Sequence, residues 1–208
     1  MKKTGFIAFA MTIAFAASAQ AAIVGGAITG GTAPGTFVEL TVPFTESDPD
    51  NTVGNNTFQR GNLYAFFEGT FTVGADLALD IGGVSAGDVI ESYYVFFDPR
   101  TSKSLEAYVD FSTEILGVAT SLASLNATDI FGAPSVTYLS PNLRGLEAND
   151  SAALSGLQRV VLDWKASTPG DYIRVLTVSE VPLPAAAWVF LAGLGGIAAK
   201  TRRKKAAA

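Results

Sequence analysis

Residues 89–97 read VIESYYVFF. So many β-branched and aromatic side chains in a row favour an extended strand. Successive side chains of a strand point to opposite faces, so Tyr93, Val95 and Phe97 share one face and Tyr94 and Phe96 the other. Both sets are apolar in body, as expected of a central strand covered on two sides. Asp98-Pro99-Arg100 supplies turn chemistry that ends it.

Other strands are expected on either side of this one. Residues 36–42, TFVELTV, are rich in β-formers and stop at Pro43. Residues 63–67 and 70–73 predict two strands. Residues 76–81 alternate, with Leu77, Leu79 and Ile81 against Asp76, Ala78 and Asp80, before Gly82-Gly83 turns the chain. Residues 105–111, 115–120, 136–139, 159–165 and 172–178 complete about ten strands with turn signals between them. Residues 121–133 predict irregular structure or a short turn, and residues 143–153 a connection with one helical turn at most. Residues 22–36, mostly Gly, Ala and Thr, predict a flexible lead-in. Residues 45–62, polar and without apolar period, predict a long surface loop. The whole predicts an all-β domain over residues 22–180, an antiparallel β-sandwich of jelly-roll-like type.

Composition narrows the chemistry. The chain of 208 residues has no cysteine and no histidine. That excludes disulfides, thiolate chemistry and imidazole bases or ligands. All nineteen Asp and Glu fall between residues 39 and 180, against seven Lys and Arg, a net charge of −12 for that segment. Such a surface repels nucleic acid and anionic polymers, so no nucleic-acid partner is expected.

Both ends read as export signals. Lys2 and Lys3 precede an apolar run from Gly5 to Ala17, and Ala17, Ala19 and Ala21 supply small residues for cleavage. This predicts a secretory signal peptide over residues 1–21, hence the Sec translocon and signal peptidase as partners. At the other end stand Val181-Pro182-Leu183-Pro184-Ala185, the uncharged run 185–199, and a cluster with five cations in residues 200–205. Fifteen residues of helix reach about 22 Å, a short transmembrane helix for a hydrocarbon core of about 30 Å. The basic cluster places the C-terminus on the cytoplasmic side. Pro182 and Pro184 hold Val181 and Leu183 extended, where a protease could bind them. From the residues alone the tail is either a lasting anchor or a signal that is recognised and removed.

The order of that motif, Trp188-Val189-Phe190, the glycines 193, 195 and 196, and Arg202-Arg203-Lys204-Lys205 resembles the VPLPA variant of the PEP-CTERM sorting domain. The resemblance covers residues 181–205. It implies an exported protein of a Gram-negative bacterium, processed at or near Val181–Ala185 by an exosortase-type membrane transpeptidase. Residues 92–99, 115–118, 143–147 and 167–174 also resemble ectodomains that accompany this tail, which carry no known activity.

Within the domain no motif selects a catalytic group. Lys103 and Lys165 are the only lysines for a Ser–Lys pair and stand in no recognisable motif. Two carboxylates suffice for glycoside hydrolysis, but nothing singles out a pair among nineteen. Calcium is the metal that oxygen ligands suit, and Asp48, Asp50 and Asn51 are its candidate ligands, with Glu46 and Asn55 nearby. Tyr64, Tyr93, Tyr94, Tyr108 and Tyr138 are candidates for stacking on sugars or for core packing. Arg144 and Arg174 are expected in buried or half-buried ion pairs with acids such as Glu147 or Asp171. The leading expectation is a non-enzymatic surface or matrix protein associated with exopolysaccharide. A carbohydrate- or calcium-binding module is the alternative, and a carboxylate-based hydrolase the third reading.

Overall fold

The computed structural model describes residues 22–180 except residue 59. The expected signal peptide, the expected cleavage alanines 17, 19 and 21, the motif 181–185, the expected transmembrane helix and the basic cluster lie outside the described residues. In chain order the strands are β1 (Ile23–Gly31), β2 (Phe37–Leu40), β3 (Thr52–Val53), β4 (Leu63–Thr72), β5 (Leu77–Ala78), β6 (Ile81–Val84), β7 (Val89–Phe97), β8 (Lys103–Phe111) and β9 (Ile115–Ala119). Helix α1 (Leu122–Ala127) follows, then β10 (Thr137–Tyr138), β11 (Ser151–Leu154), β12 (Arg159–Ala166) and β13 (Asp171–Val178). Single 3-10 turns lie at Asp129–Phe131 and Pro141–Leu143.

The described residues are all-β, with one short α-helix among them. A seven-stranded sheet runs β2-β4-β7-β13-β9-β6-β5, a four-stranded sheet runs β1-β8-β12-β11, and β10 pairs β3. The sheets are not purely antiparallel as expected: β2 runs parallel to β4, and β10 parallel to β3. β7 lies inside the large sheet, between β4 and β13. Its two apolar faces are both used. Tyr93, Val95 and Phe97 join Leu105, Val109, Leu162 and Trp164 of the small sheet in one core. Tyr94 and Phe96 join Tyr64, Phe66 and Tyr172 in a second core on the opposite face. That second face is roofed by the segment holding Phe44, Val53 and Phe58, and by Leu125, Ala133 and Val136. Rings there meet in tilted, edge and stacked pairs, Phe58 lying 4.8 Å from Phe96 and Tyr64 5.3 Å.

Several expectations are corrected. The lead-in is not flexible: nine of its residues form β1 against β8, because Gly26 leaves room for the ring of Phe37. The loop 45–62 is not a surface loop throughout, since Ser47, Thr52, Val53, Thr57 and Phe58 are buried beneath it. The two strands expected at 63–67 and 70–73 are one bulged strand, Leu63–Thr72. Within residues 121–133, expected irregular or a short turn, Leu122–Ala127 form helix α1, capped at Ser121, whose side chain accepts from the Ser124 N–H, and Asp129–Phe131 a 3-10 turn.

The alternating run 76–81 breaks after Ala78 because Asp80 is engaged elsewhere. Its carboxylate accepts from the N–H groups of Thr120 (2.7 Å) and Ser121 (2.8 Å) and from the Ser121 hydroxyl (2.8 Å). The expected turn at Gly82-Gly83 belongs to β6 instead. Gly82 has φ +68°, and a Cβ there would fall 2.3 Å from the Leu116 carbonyl oxygen. Asp80 thus fixes the entry to α1 from a neighbouring turn. Asp80→Ala should cost about 1–2 kcal/mol at neutral pH, the usual worth of a helix-start acceptor. A melting curve of the variant checks this, and an unchanged midpoint counts against it.

Candidate functional site

A connected cluster of polar side chains lies on the roofed face of the large sheet. Arg174 on β13 is fully buried and grips Glu68 of β4 with two hydrogen bonds, Nε to Oε2 at 2.6 Å and Nη2 to Oε1 at 2.9 Å. Ser92 Oγ and Tyr138 Oη each donate to the same carboxylate at 2.6 Å. Arg174 Nη1 reaches into the roof, to the Leu125 carbonyl, Thr128 Oγ1 and Asp129 Oδ1. Arg144 holds both oxygens of Asp129 and Asn126 Oδ1. The buried ion pairs expected for Arg144 and Arg174 are therefore present, with different partners: Asp129 and Glu68, not Glu147 or Asp171. Each guanidinium nitrogen of Arg174 has a hydrogen-bond partner, so this cluster ties sheet to roof.

Two further carboxyls are buried without such partners. Asp98 follows the last residue of β7 and is fully buried. Burial pushes its carboxyl up to about 7, although the N–H groups of Phe58, Asn56 and Thr57 pull the other way. These amides approach without completing a hydrogen bond to either oxygen. Asp171 opens β13 and is 3 % exposed. Burial, with the negative charges of Asp150 and Glu147, raises its carboxyl to about 8.

The calcium candidates are spread along the loop. Asp48 and Asp50 are exposed, while Asn51 is spent on the backbone. Its Oδ1 accepts from Phe44 N at 3.3 Å and its Nδ2 donates to the Ser135 carbonyl at 2.6 Å. Among the described residues no group of three or more Asp or Glu is placed to hold a metal ion.

The tyrosines divide sharply. Tyr64, Tyr93 and Tyr94 are core residues, 1–2 % exposed, and Tyr138 is bound to Glu68. Tyr108 alone of the five stands on an outer surface, half-buried on the outward face of the small sheet. Strand register builds that face in cross-strand rows. Ala27, Tyr108, Val161 and Ala153 are direct neighbours across the four strands and form an apolar row. On one side Gly30, Glu106, Asp163 and Ser151 form a polar row. On the other side Arg159 holds Asp110 with two hydrogen bonds and lies 4.0 Å over the Tyr108 ring. A shallow groove of about 340 Å³ crosses the strands here, lined by Thr29, Glu106, Tyr108, Ser151, Val161 and Asp163 among others.

Glu106 and Asp163 are the one acid pair that register places directly opposite each other among the described residues of this sheet. Both project from the same floor, so both meet one side of anything bound above them. Glycoside hydrolysis needs carboxyls on either side of the scissile bond. Sequence reasoning missed this pair because the pairing of β8 with β12 brings together residues 57 positions apart. The available signal was the alternation in residues 159–165, which put Asp163 outward. Among the described residues no helix is long and apolar enough to cross a membrane. No family model, curated protein or solved structure matches the chain.

Proposed function

We propose that the chain is an exported, non-enzymatic surface or matrix protein, delivered by the Sec translocon, trimmed by signal peptidase and processed at Val181–Ala185 by an exosortase-type transpeptidase. The observation that carries this is the order of motif, apolar run and basic cluster over residues 181–205, behind an N-terminal export signal. The domain's geometry agrees with a non-catalytic role. Its buried Arg174 and Glu68 are committed to each other, and its acid pair stands on an open sheet face. The acidic surface suits an exported protein and favours a cationic or neutral polymer as neighbour. We read the domain as a β-sandwich of jelly-roll type, because its first core draws on both large sheets, as face-to-face packing requires.

The test is the intact mass of the protein from its native host, with the C-terminal peptide sequenced. A chain ending within residues 181–185 is the expected result, and any excess mass identifies what is attached. A chain still carrying residues 188–205 would make the tail a lasting anchor and overturn the processing step.

A further inference from the structure

We propose that the outward face of the four-stranded sheet binds a glycan of pyranose units carrying free amino groups. The proposal deepens the matrix-protein reading and rests on it for the presence of such a polymer outside the cell. The groove lies across the strands, lined by Tyr108, Val161 and Ala153 of the apolar row that Ala27 completes on β1. Four strands about 4.8 Å apart make that row about 14 Å long. A pyranose ring has an apolar C–H face and a polar rim. Tyr108 and the aliphatic side chains beside it suit the face. Arg159 backs the Tyr108 ring at 4.0 Å and is held there by Asp110, which fixes the platform.

The charge of the adjoining row selects the substituent. Like charges placed directly opposite on neighbouring strands repel. Glu106 and Asp163 stand so, and among the described residues neither has an ion-pair partner. An ammonium group seated between them supplies the missing counter-charge, while a uronate or sulfate would be driven off. The local sequence keeps this row open. A Cβ on Gly30 would lie 2.7 Å from Glu106 Oε2, so the glycine lets that carboxylate lie across β1. Thr29 Oγ1 donates to the Glu106 carbonyl at 3.1 Å, and Ser151 closes the row at the far edge.

The full chain, purified in detergent, is titrated calorimetrically with a glucosamine hexamer, with its N-acetylated counterpart and with hexalysine. The glucosamine hexamer should bind, and the acetylated one should bind about tenfold more weakly or worse. Tyr108→Ala and the double variant Glu106→Gln with Asp163→Asn should each weaken binding by about tenfold or more. Their melting temperatures should hold, because all three side chains face outward. Four results would each overturn the proposal: no binding at millimolar sugar, equal affinity for the acetylated hexamer, equal affinity for hexalysine, or folded variants that bind as the parent does. The sorting step is judged on the C-terminal mass alone, so either idea can fail without the other.

Discussion

Arg174→Ala should leave the domain unfolded or melting about 6–20 °C lower than the parent. The side chain is fully buried and joins two strands of the large sheet to its roof. Its guanidinium grips Glu68 on β4 and reaches Leu125 and Thr128 in the roof. Alanine removes the cation and leaves the Glu68 carboxylate buried, with only Ser92 and Tyr138 donating to it. Breaking a buried pair from one side costs about 3–5 kcal/mol. A domain this size has roughly 5–15 kcal/mol in hand, and 1 kcal/mol moves the midpoint by about 2–4 °C. The paired variant Arg174→Met with Glu68→Gln should be less damaged than the single changes together imply, because it strands no charge. Thermal unfolding followed by circular dichroism reads both. A single variant melting within about 3 °C of the parent would mean that the pair contributes little.

The same cluster shows what the sequence could and could not disclose. That Arg174 would be buried and paired was legible, because it stands between Ile173 and Val175 in an apolar strand. Its partner was not, because Glu68 lies 106 residues away and meets it only through the order β4-β7-β13. The two-sided burial of β7 was legible from its own residues. What covered its second face was not. Residues 44–58 look hydrophilic, yet Phe44, Val53 and Phe58 are buried there and Asn51, Asn55 and Asn56 between them take left-handed turn conformations. A polar run punctuated by single apolar anchors carries no period, so periodicity reads it as a loop. The glycine-rich β1 failed differently. Glycine weakens a strand on its own, and only the pairing with β8 and the ring of Phe37 give Ile23–Gly31 a reason to be extended. On the small sheet's outer face each row is assembled from four strands, and no local stretch contains it.

The domain should gain stability as pH falls from 8 to about 5, the reverse of ordinary acid denaturation. Asp98 and Asp171 are the reason. Their carboxyls sit at about 7 and about 8 in the fold, against 3.8 when exposed. The folded chain therefore binds more protons than the unfolded chain across that window, and stability falls as pH rises through it. At about 1.4 kcal/mol for each pH unit, the shift from 3.8 is worth at most about 4 kcal/mol for Asp98 and about 5–6 kcal/mol for Asp171. Loss on the acid side has a separate origin. Against the burial that would raise it, the N–H groups of Ser121 and Thr120 and the Ser121 hydroxyl hold the Asp80 carboxyl at about 2. Its contribution is present above about pH 4 and is lost as pH falls towards 2. The stability maximum is thus expected near pH 4–5. Asp98→Asn removes one buried charge while keeping its shape. It should raise the pH 8 melting temperature by about 5 °C and change little at pH 4. Asp171→Asn should act likewise over a slightly more alkaline window, since Asp150 and Glu147 add to its cost. A melting temperature that climbs from pH 5 to pH 8 in the parent, or an Asp98→Asn variant that tracks the parent throughout, would show that these carboxyls find counter-charge or water in solution.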